Sequence, residues 1–216
     1  MNKLINFTYI KLTITSLILL TSAVQAHTHN HVISEKTLRI SEGIFDDNEV
    51  KDRPLSDWQG TWQSLNDYLI AGDLDLVILA KAKKDPTKNF ADYKQYYQKG
   101  YATDVLFIGI EGEQIDFHKK ESEVSCKYHY DGYKILHYTA GNKGVRYLFS
   151  CQEKGSNAPK YVQLSDHIIE ATPSAHFHIY MGNESHEKLL TEMDNWPTYY
   201  PLSQNKNDII SEMLHH

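Results

Sequence analysis

The stretch "SDHIIEATPSAHFHIY" carries three histidines, His167, His176 and His178, among β-branched and aromatic neighbours. Neutral imidazole is the commonest protein ligand for a metal ion. His176 and His178 are two residues apart, so on a strand they share a face. Pro173 in "EATPS" suits a turn and not a central strand. A hairpin centred near residue 172 therefore places His167 opposite His176 or diagonal to it. Directly opposed β-carbons stand ~4.5–5.5 Å apart. From such positions ring nitrogens can converge on one ion with bonds of ~2.0–2.1 Å. Three imidazoles suit zinc and other borderline metals, and suit calcium or magnesium poorly. A water or an acid would complete the coordination. A lone strand histidine is ordinarily a surface residue, but three weak bases on one patch favour a metal site.

Other polar groups carry weaker signals. His27, His29 and His31 alternate with polar residues and offer a looser, secondary metal site or extra ligands for the first. His118, His129 and His137 are singly placed in expected strands and read as hydrogen-bonded structural residues. His215 and His216 read as a frayed terminus or a cloning scar. Asp166, Glu170 and Glu184 are candidates for orienting the imidazoles, but the simpler reading is of solvated surface acids. Tyr128, Tyr130, Tyr133 and Tyr138 either line a cavity or, more simply, pack a barrel. No G-x-S-x-G, Walker loop or dinucleotide fingerprint is present.

The elements that must position these groups fall into a helical first part and a strand-rich second part. In "LSDWQGTWQSLNDYLIAG", Ser56 and Gln59 have capping-box spacing, and Trp58, Trp62, Leu65 and Leu69 fall on one helical face. Gly72 ends that helix in the left-handed conformation. "DLDLVILAKAKK" predicts a second helix stopped at Asp85-Pro86, and "NFADYKQYYQKG" a third closed by Gly100. A weaker helix is expected near residues 34–45. From Tyr101 onward about seven strands follow, with turns at Glu111-Gly112, Asp131-Gly132 and residues 140–144. Such a meander avoids exposed edges by closing into an antiparallel β-barrel. The histidine trio is then expected near the barrel mouth, where ions can enter. "SHEKLLTEMDNW" predicts a helix, "PTYYP" a break, and "NDIISEMLHH" a short terminal helix.

The ends and the composition bound the function. Residues 1–26 hold Lys3, Lys11, an apolar run from Leu12 to Leu20, and Val24 and Ala26 at −3 and −1, the pattern of a secretory signal peptide. The run is shorter than the ~20 residues that span a bilayer, and no cysteine follows it, so neither a membrane anchor nor a lipid anchor is expected. Cleavage after Ala26 leaves 190 of the 216 residues, enough for a single domain over residues 27–216. It removes two lysines and no acid, taking the net charge from −6 to −8. A nucleic-acid partner fits that charge poorly. Cys126 and Cys151 allow one disulfide in an oxidising compartment; a pair of metal thiolates is the competing reading, disfavoured because no C-x-x-C is present.

The segments "GIFDD", "LSDWQGTWQS", "YYQKGYATD", "SCKYHYDGYKIL", "KGVRYLF", "SDHII", "HFHIYMGN" and "NWPTYYP" resemble, in the same order, those of the ZinT (YodA) family of periplasmic metal-binding proteins. The resemblance covers nearly all of residues 27–216. It implies a lipocalin-like β-barrel with helices packed beside it. It also implies zinc held by His167, His176 and His178, and Cys126 and Cys151 joined as a disulfide. The implied role is periplasmic zinc trafficking under zinc limitation, with cadmium, nickel and other divalent metals as further ligands. The implied partner is ZnuA, the solute-binding component of a zinc ABC importer, met by a monomeric metallochaperone. The histidine-rich N-terminus common in the family is reduced here to His27, His29 and His31, which weakens any second site there.

Two other function classes remain beside metal capture and delivery. Three histidines and a metal-bound water also make a hydrolase or hydratase site, although no general base stands at H-E-x-x-H spacing. A lipocalin-type carrier would instead hold a small apolar molecule inside the barrel.

Overall fold

The computed structural model describes residues 34–85 and 87–215. The expected signal peptide, His27, His29, His31 and His216 lie outside the described residues. Eight antiparallel strands close into a barrel in chain order: β1 (Gly60–Ser64), β2 (Val105–Glu111), β3 (Gln114–Lys119), β4 (Glu123–His137), β5 (Lys143–Cys151), β6 (Tyr161–Ser165), β7 (Phe177–Gly182) and β8 (Thr198–Pro201). β8 pairs with β1 through Gln63 opposite Tyr200, which joins the two ends of the meander. Closure leaves no unpaired edge.

The strand count differs from the expected seven for three reasons. The single helix expected across Ser56 to Leu69 is instead a short 3-10 turn (Leu55–Trp58), β1, and helix α2 (Leu65–Ile70). Gly60, at φ 136°, turns the chain out of any helix there. Trp58 and Trp62 share a side because both enter the barrel core, where the Trp62 indole N–H donates to the Trp58 carbonyl at 2.8 Å. The helix cap is Ser64, not Ser56. "PTYYP", expected as a break, supplies β8, because a four-residue strand flanked by prolines has too little alternation to be legible. Asp131-Gly132 is no turn: β4 runs through it with a bulge and Gly132 at φ 95°. One extra residue there shifts the inward set from Cys126, Tyr128 and Tyr130 to Tyr133 and Ile135. Those four tyrosine expectations resolve as packing for Tyr128, Tyr130 and Tyr133, while Tyr138 sits outside at the next turn.

Helix α2 and three later helices pack together outside the barrel, against Tyr200 of β8. α1 (Glu35–Ser41) is capped by the Ser34 hydroxyl, and α3 (Asp75–Lys84) ends at Asp85 as expected. Gly72 adopts the expected left-handed conformation, at φ 82°. α4 (Phe90–Tyr101) is capped by Asn89 and runs through Gly100 instead of ending there. Gly100 serves a different purpose, since a β-carbon on it would lie 2.5 Å from the Trp196 ring. α5 (His186–Leu190) is much shorter than its expected span, and α6 (Lys206–His215) closes the described chain.

Two apolar clusters result. The barrel interior is packed with Trp58, Trp62, Phe117, Tyr147, Phe149 and Phe177 and their neighbours. The second cluster, outside the wall, joins Leu65, Leu69, Val77, Ile78, Tyr101 and Ile209 to the outward-facing Tyr200 of β8. Cys126 on β4 and Cys151 on β5 form the expected disulfide, with Cα atoms 5.7 Å apart.

Candidate metal centre

β7 alternates: Phe177 and Ile179 point into the core, so His178 points out, toward the helical layer. His176 precedes the strand and His167 follows β6, so both lie in the connection between the two strands. Neither belongs to a hairpin ladder as expected, because the pairing ends at Ser165 opposite His178. That register, carried two residues further, would still set His167 against His176, and the two peeling ends keep them close. Ring centroids are separated by 5.5 Å (His167–His176), 5.8 Å (His167–His178) and 6.1 Å (His176–His178). One ring nitrogen from each lies within 4.8 Å of the other two. Nitrogens bound to a tetrahedral zinc at ~2.0–2.1 Å stand somewhat closer than that, a gap that modest ring rotations close. The site lies at one end of the barrel, as expected, but on its outer wall under α6.

Each ring is held by chemistry that the sequence does not advertise. His178 Nδ1 is 2.7 Å from the Thr198 hydroxyl, across the β7–β8 ladder. When that hydroxyl donates its one hydrogen to the Trp196 carbonyl at 3.1 Å, it accepts from His178 Nδ1–H. The tautomer assigned in this way leaves His178 Nε2 bare for an ion. Burial, and then the neighbouring His176, His167 and Arg146, hold the His178 pKa well below the ordinary histidine value. It is therefore in the neutral, ligating form. His176 stacks on Tyr200 with centroids 4.9 Å apart and planes 10° apart, and its Nδ1 faces Glu212 of α6 at 3.3 Å. Glu212 is fixed in turn by the Gln204 amide at 3.0 Å. A carboxylate hydrogen-bonded to an imidazole fixes the orientation of the ring. If Thr198 sets the tautomer, Thr198→Val should weaken metal binding about 10–100-fold with little loss of fold, as isothermal titration against thermal melting would show.

The loop that carries His167 is anchored by Arg53. Its guanidinium is fully buried and stacks 4.1 Å from the Trp58 ring centroid. It donates to Asp166 at 2.7 Å, to Asp57 at 3.0 Å, and to the carbonyls of Ile168 and Thr172. Asp166, expected as a solvated acid, is thus a buried ion-pair partner one residue before His167. Glu170 pairs with Lys36 at the surface, and Glu184 is exposed. His118, His129 and His137 stay away from the trio, on exposed strand faces beside Glu123, Asp131 and Asp47. His215 is no frayed end, since it belongs to α6 and lines the same cavity as the three histidines. That cavity, of about 660 Å³, is walled by α1, α3, α4 and α6. Glu212, Thr198 and Arg53 are the contributors that sequence reasoning missed. Each acts across a long stretch of chain, so no local spacing could have flagged them.

Comparison with known proteins gives a consistent picture. Residues 36–216 match the model of a family described as "ZinT (YodA) periplasmic lipocalin-like zinc-recruitment". A probable metal-binding protein, YrpE, of Bacillus subtilis is 48% identical over 182 residues, covering 84% of this chain and 72% of YrpE. The zinc-binding lipoprotein AdcA of Streptococcus pneumoniae is 45% identical over 183 residues, but the match spans only 36% of AdcA. The crystal structure of the Zn(II)-bound ZinT-like domain of that AdcA superposes with a TM-score of 0.78 at 45% identity, covering 81% of this chain and 97% of the domain.

Proposed function

Because the chain belongs to the ZinT (YodA) family of periplasmic lipocalin-like zinc-recruitment proteins, we propose that it captures zinc on His167, His176 and His178 for delivery to an importer. The observation that carries this reading is the convergence of three ring nitrogens within 4.8 Å on the outer barrel wall. The tautomer of His178, fixed by Thr198, and the carboxylate behind His176 support it, as do zinc-binding relatives. Three neutral imidazoles leave one position open, so zinc can leave by ligand exchange.

Delivery runs to a ZnuA-type solute-binding protein of a zinc ABC transporter. The pneumococcal relative, which carries a ZinT-like domain inside a longer zinc-binding lipoprotein, supports a transport setting. The protein works as a monomer outside the cytoplasm, in the periplasm, after signal cleavage behind Ala26. Cadmium and nickel compete for the same donors, since borderline ions share the preference for imidazole. His27, His29 and His31 add a weaker, accessory set. The relatives are named as metal-binding or zinc-binding proteins and not as enzymes.

Isothermal titration of the His167→Ala, His176→Ala, His178→Ala triple variant tests the assignment. Wild type should bind one tight equivalent of zinc and the variant none. A variant that keeps that equivalent would mean that the site is elsewhere. Acid gives a second expected outcome. An unfolded chain protonates His178 near pH ~6.5, whereas the fold holds it neutral to much lower pH. This contribution to stability is therefore present above about pH 6.5 and is lost as pH falls toward the folded value, at up to ~1.4 kcal/mol per pH unit. Thermal melts of metal-free protein between pH 7.5 and 5 (values set about the ordinary histidine pKa) should show a fall that is shallower in His178→Asn.

A further inference from the structure

The cavity over the three histidines is far larger than its proposed cargo needs. An ion and one water would fill a small part of about 660 Å³, since a water's share of liquid volume is ~30 Å³. That size is in the range of sites for small organic ligands. Its walls include Leu38, Tyr97, Tyr101, Ile168 and Met213 beside the polar groups, so part of the lining suits an apolar body.

One lining residue is a cation. Lys81 lies on α3 three and four residues beyond Ile78 and Val77, which are both buried, so it continues the inward stripe where an apolar residue is expected. The side chain is partly buried and lines the cavity. No hydrogen bond or ion pair to it is present among the described residues. Burial, and then the charge of Lys84, depress its pKa, as expected of an ammonium that lacks its counter-charge.

The charges around the cavity point one way. Three neutral imidazoles leave a divalent ion uncompensated. Glu212 offsets part of it from behind His176, and Glu42 stands exposed at the rim. Asp166 is already committed to Arg53. Loaded with metal, the cavity carries an excess of positive charge, with an open position on the ion and the Lys81 ammonium also in its lining.

We propose that the cavity binds a small chelating carboxylate with an apolar body, such as an amino acid, which completes the zinc coordination and sets its carboxylate toward Lys81. The proposal rests on the zinc reading above. The protein then takes up zinc as a complex with a small-molecule chelator, and the ion never needs to be stripped to a bare aquo form before capture. Binding breaks no covalent bond; the three imidazoles displace waters and all but one of the chelator's donors from the ion, and the remaining donor holds the position that a water would otherwise fill.

The test uses the full chain loaded with cobalt(II), whose visible absorption reports a change of ligand at the metal, titrated with L-histidine and separately with imidazole. Imidazole offers a metal ligand without a carboxylate. In wild type, L-histidine should shift the bands saturably while native mass spectrometry finds protein, metal and amino acid in one complex. Lys81→Gln should weaken L-histidine about tenfold and leave imidazole and metal content unchanged. The proposal fails if L-histidine only strips the metal, or if it binds wild type and Lys81→Gln equally. It also fails if the apolar cavity is filled instead by the chain's own residues 27–33, which would show as no shift with either ligand. If Lys81→Gln does not fold, Lys81→Met serves in its place, and the ternary complex of wild type stands as an independent readout. Failure of the zinc reading itself would appear earlier, as protein that takes up no cobalt on the three histidines.

Discussion

Replacing Arg53 with methionine should destabilise the protein by about 3–5 kcal/mol and weaken zinc binding together with the fold. The guanidinium is fully buried and its partner Asp166 is nearly so, with 2% of the side chain exposed. Removing the cation leaves a buried carboxylate without its charge partner, and that penalty exceeds the loss of the contact itself. Methionine fills much of the slot between Trp58 and Tyr147, so the loss is electrostatic and not a cavity. The same change frees the carbonyls of Ile168 and Thr172, both in the loop just after His167. A loop that must be ordered at the moment of metal binding lowers affinity by the cost of ordering it. Denaturant unfolding and zinc titration of Arg53→Met measure both effects. Adding Asp166→Leu should recover part of the stability, because it removes the orphaned charge, without restoring the affinity. Full stability in the single variant would show that the ion pair is not what holds the loop.

Removing the disulfide is the second large effect. Cys126→Ser with Cys151→Ser should cost roughly 3–4 kcal/mol on the chain-entropy account, seen as a lowered denaturation midpoint. Zinc affinity should scarcely change. Cys151 lies beside Lys160 at the start of β6, whereas the histidines lie beyond Ser165 at its other end. A strong fall in affinity in folded variant protein would mean that the cross-link reaches the site through the β5–β6 ladder.

These two contrasts also show how far the chain could be read before its structure. His176 and His178 were visible because strand alternation is a local rule, and His167 because a proline-bearing turn returns the chain. The barrel followed from regular strand spacing, even though its closing strands escaped notice. β1 was hidden because Trp58 and Trp62 stand four apart and so imitate a helical face. β8 was hidden because "PTYYP" offers two prolines around a run too short to alternate. The bulge at Asp131-Gly132 looked like a turn because a glycine at positive φ serves either purpose. What was not legible was everything held by contacts distant in sequence. Arg53 reaches Asp166 across more than a hundred residues, and Glu212 reaches His176 from a helix whose register only the folded chain sets. The barrel is legible in period and turn chemistry, while the orientation of the three histidines depends on tertiary packing alone.

The central claim is that three imidazoles meet at one ion on the outer wall of the barrel, beneath α6. X-ray data collected at the zinc absorption edge from crystals of the zinc-loaded protein test it most directly. The account predicts one strong anomalous peak within bonding distance, ~2.0–2.1 Å, of a nitrogen from each of His167, His176 and His178, with Nε2 as the donor from His178. A peak elsewhere, or rings that stay apart with no peak between them at full zinc loading, would contradict it.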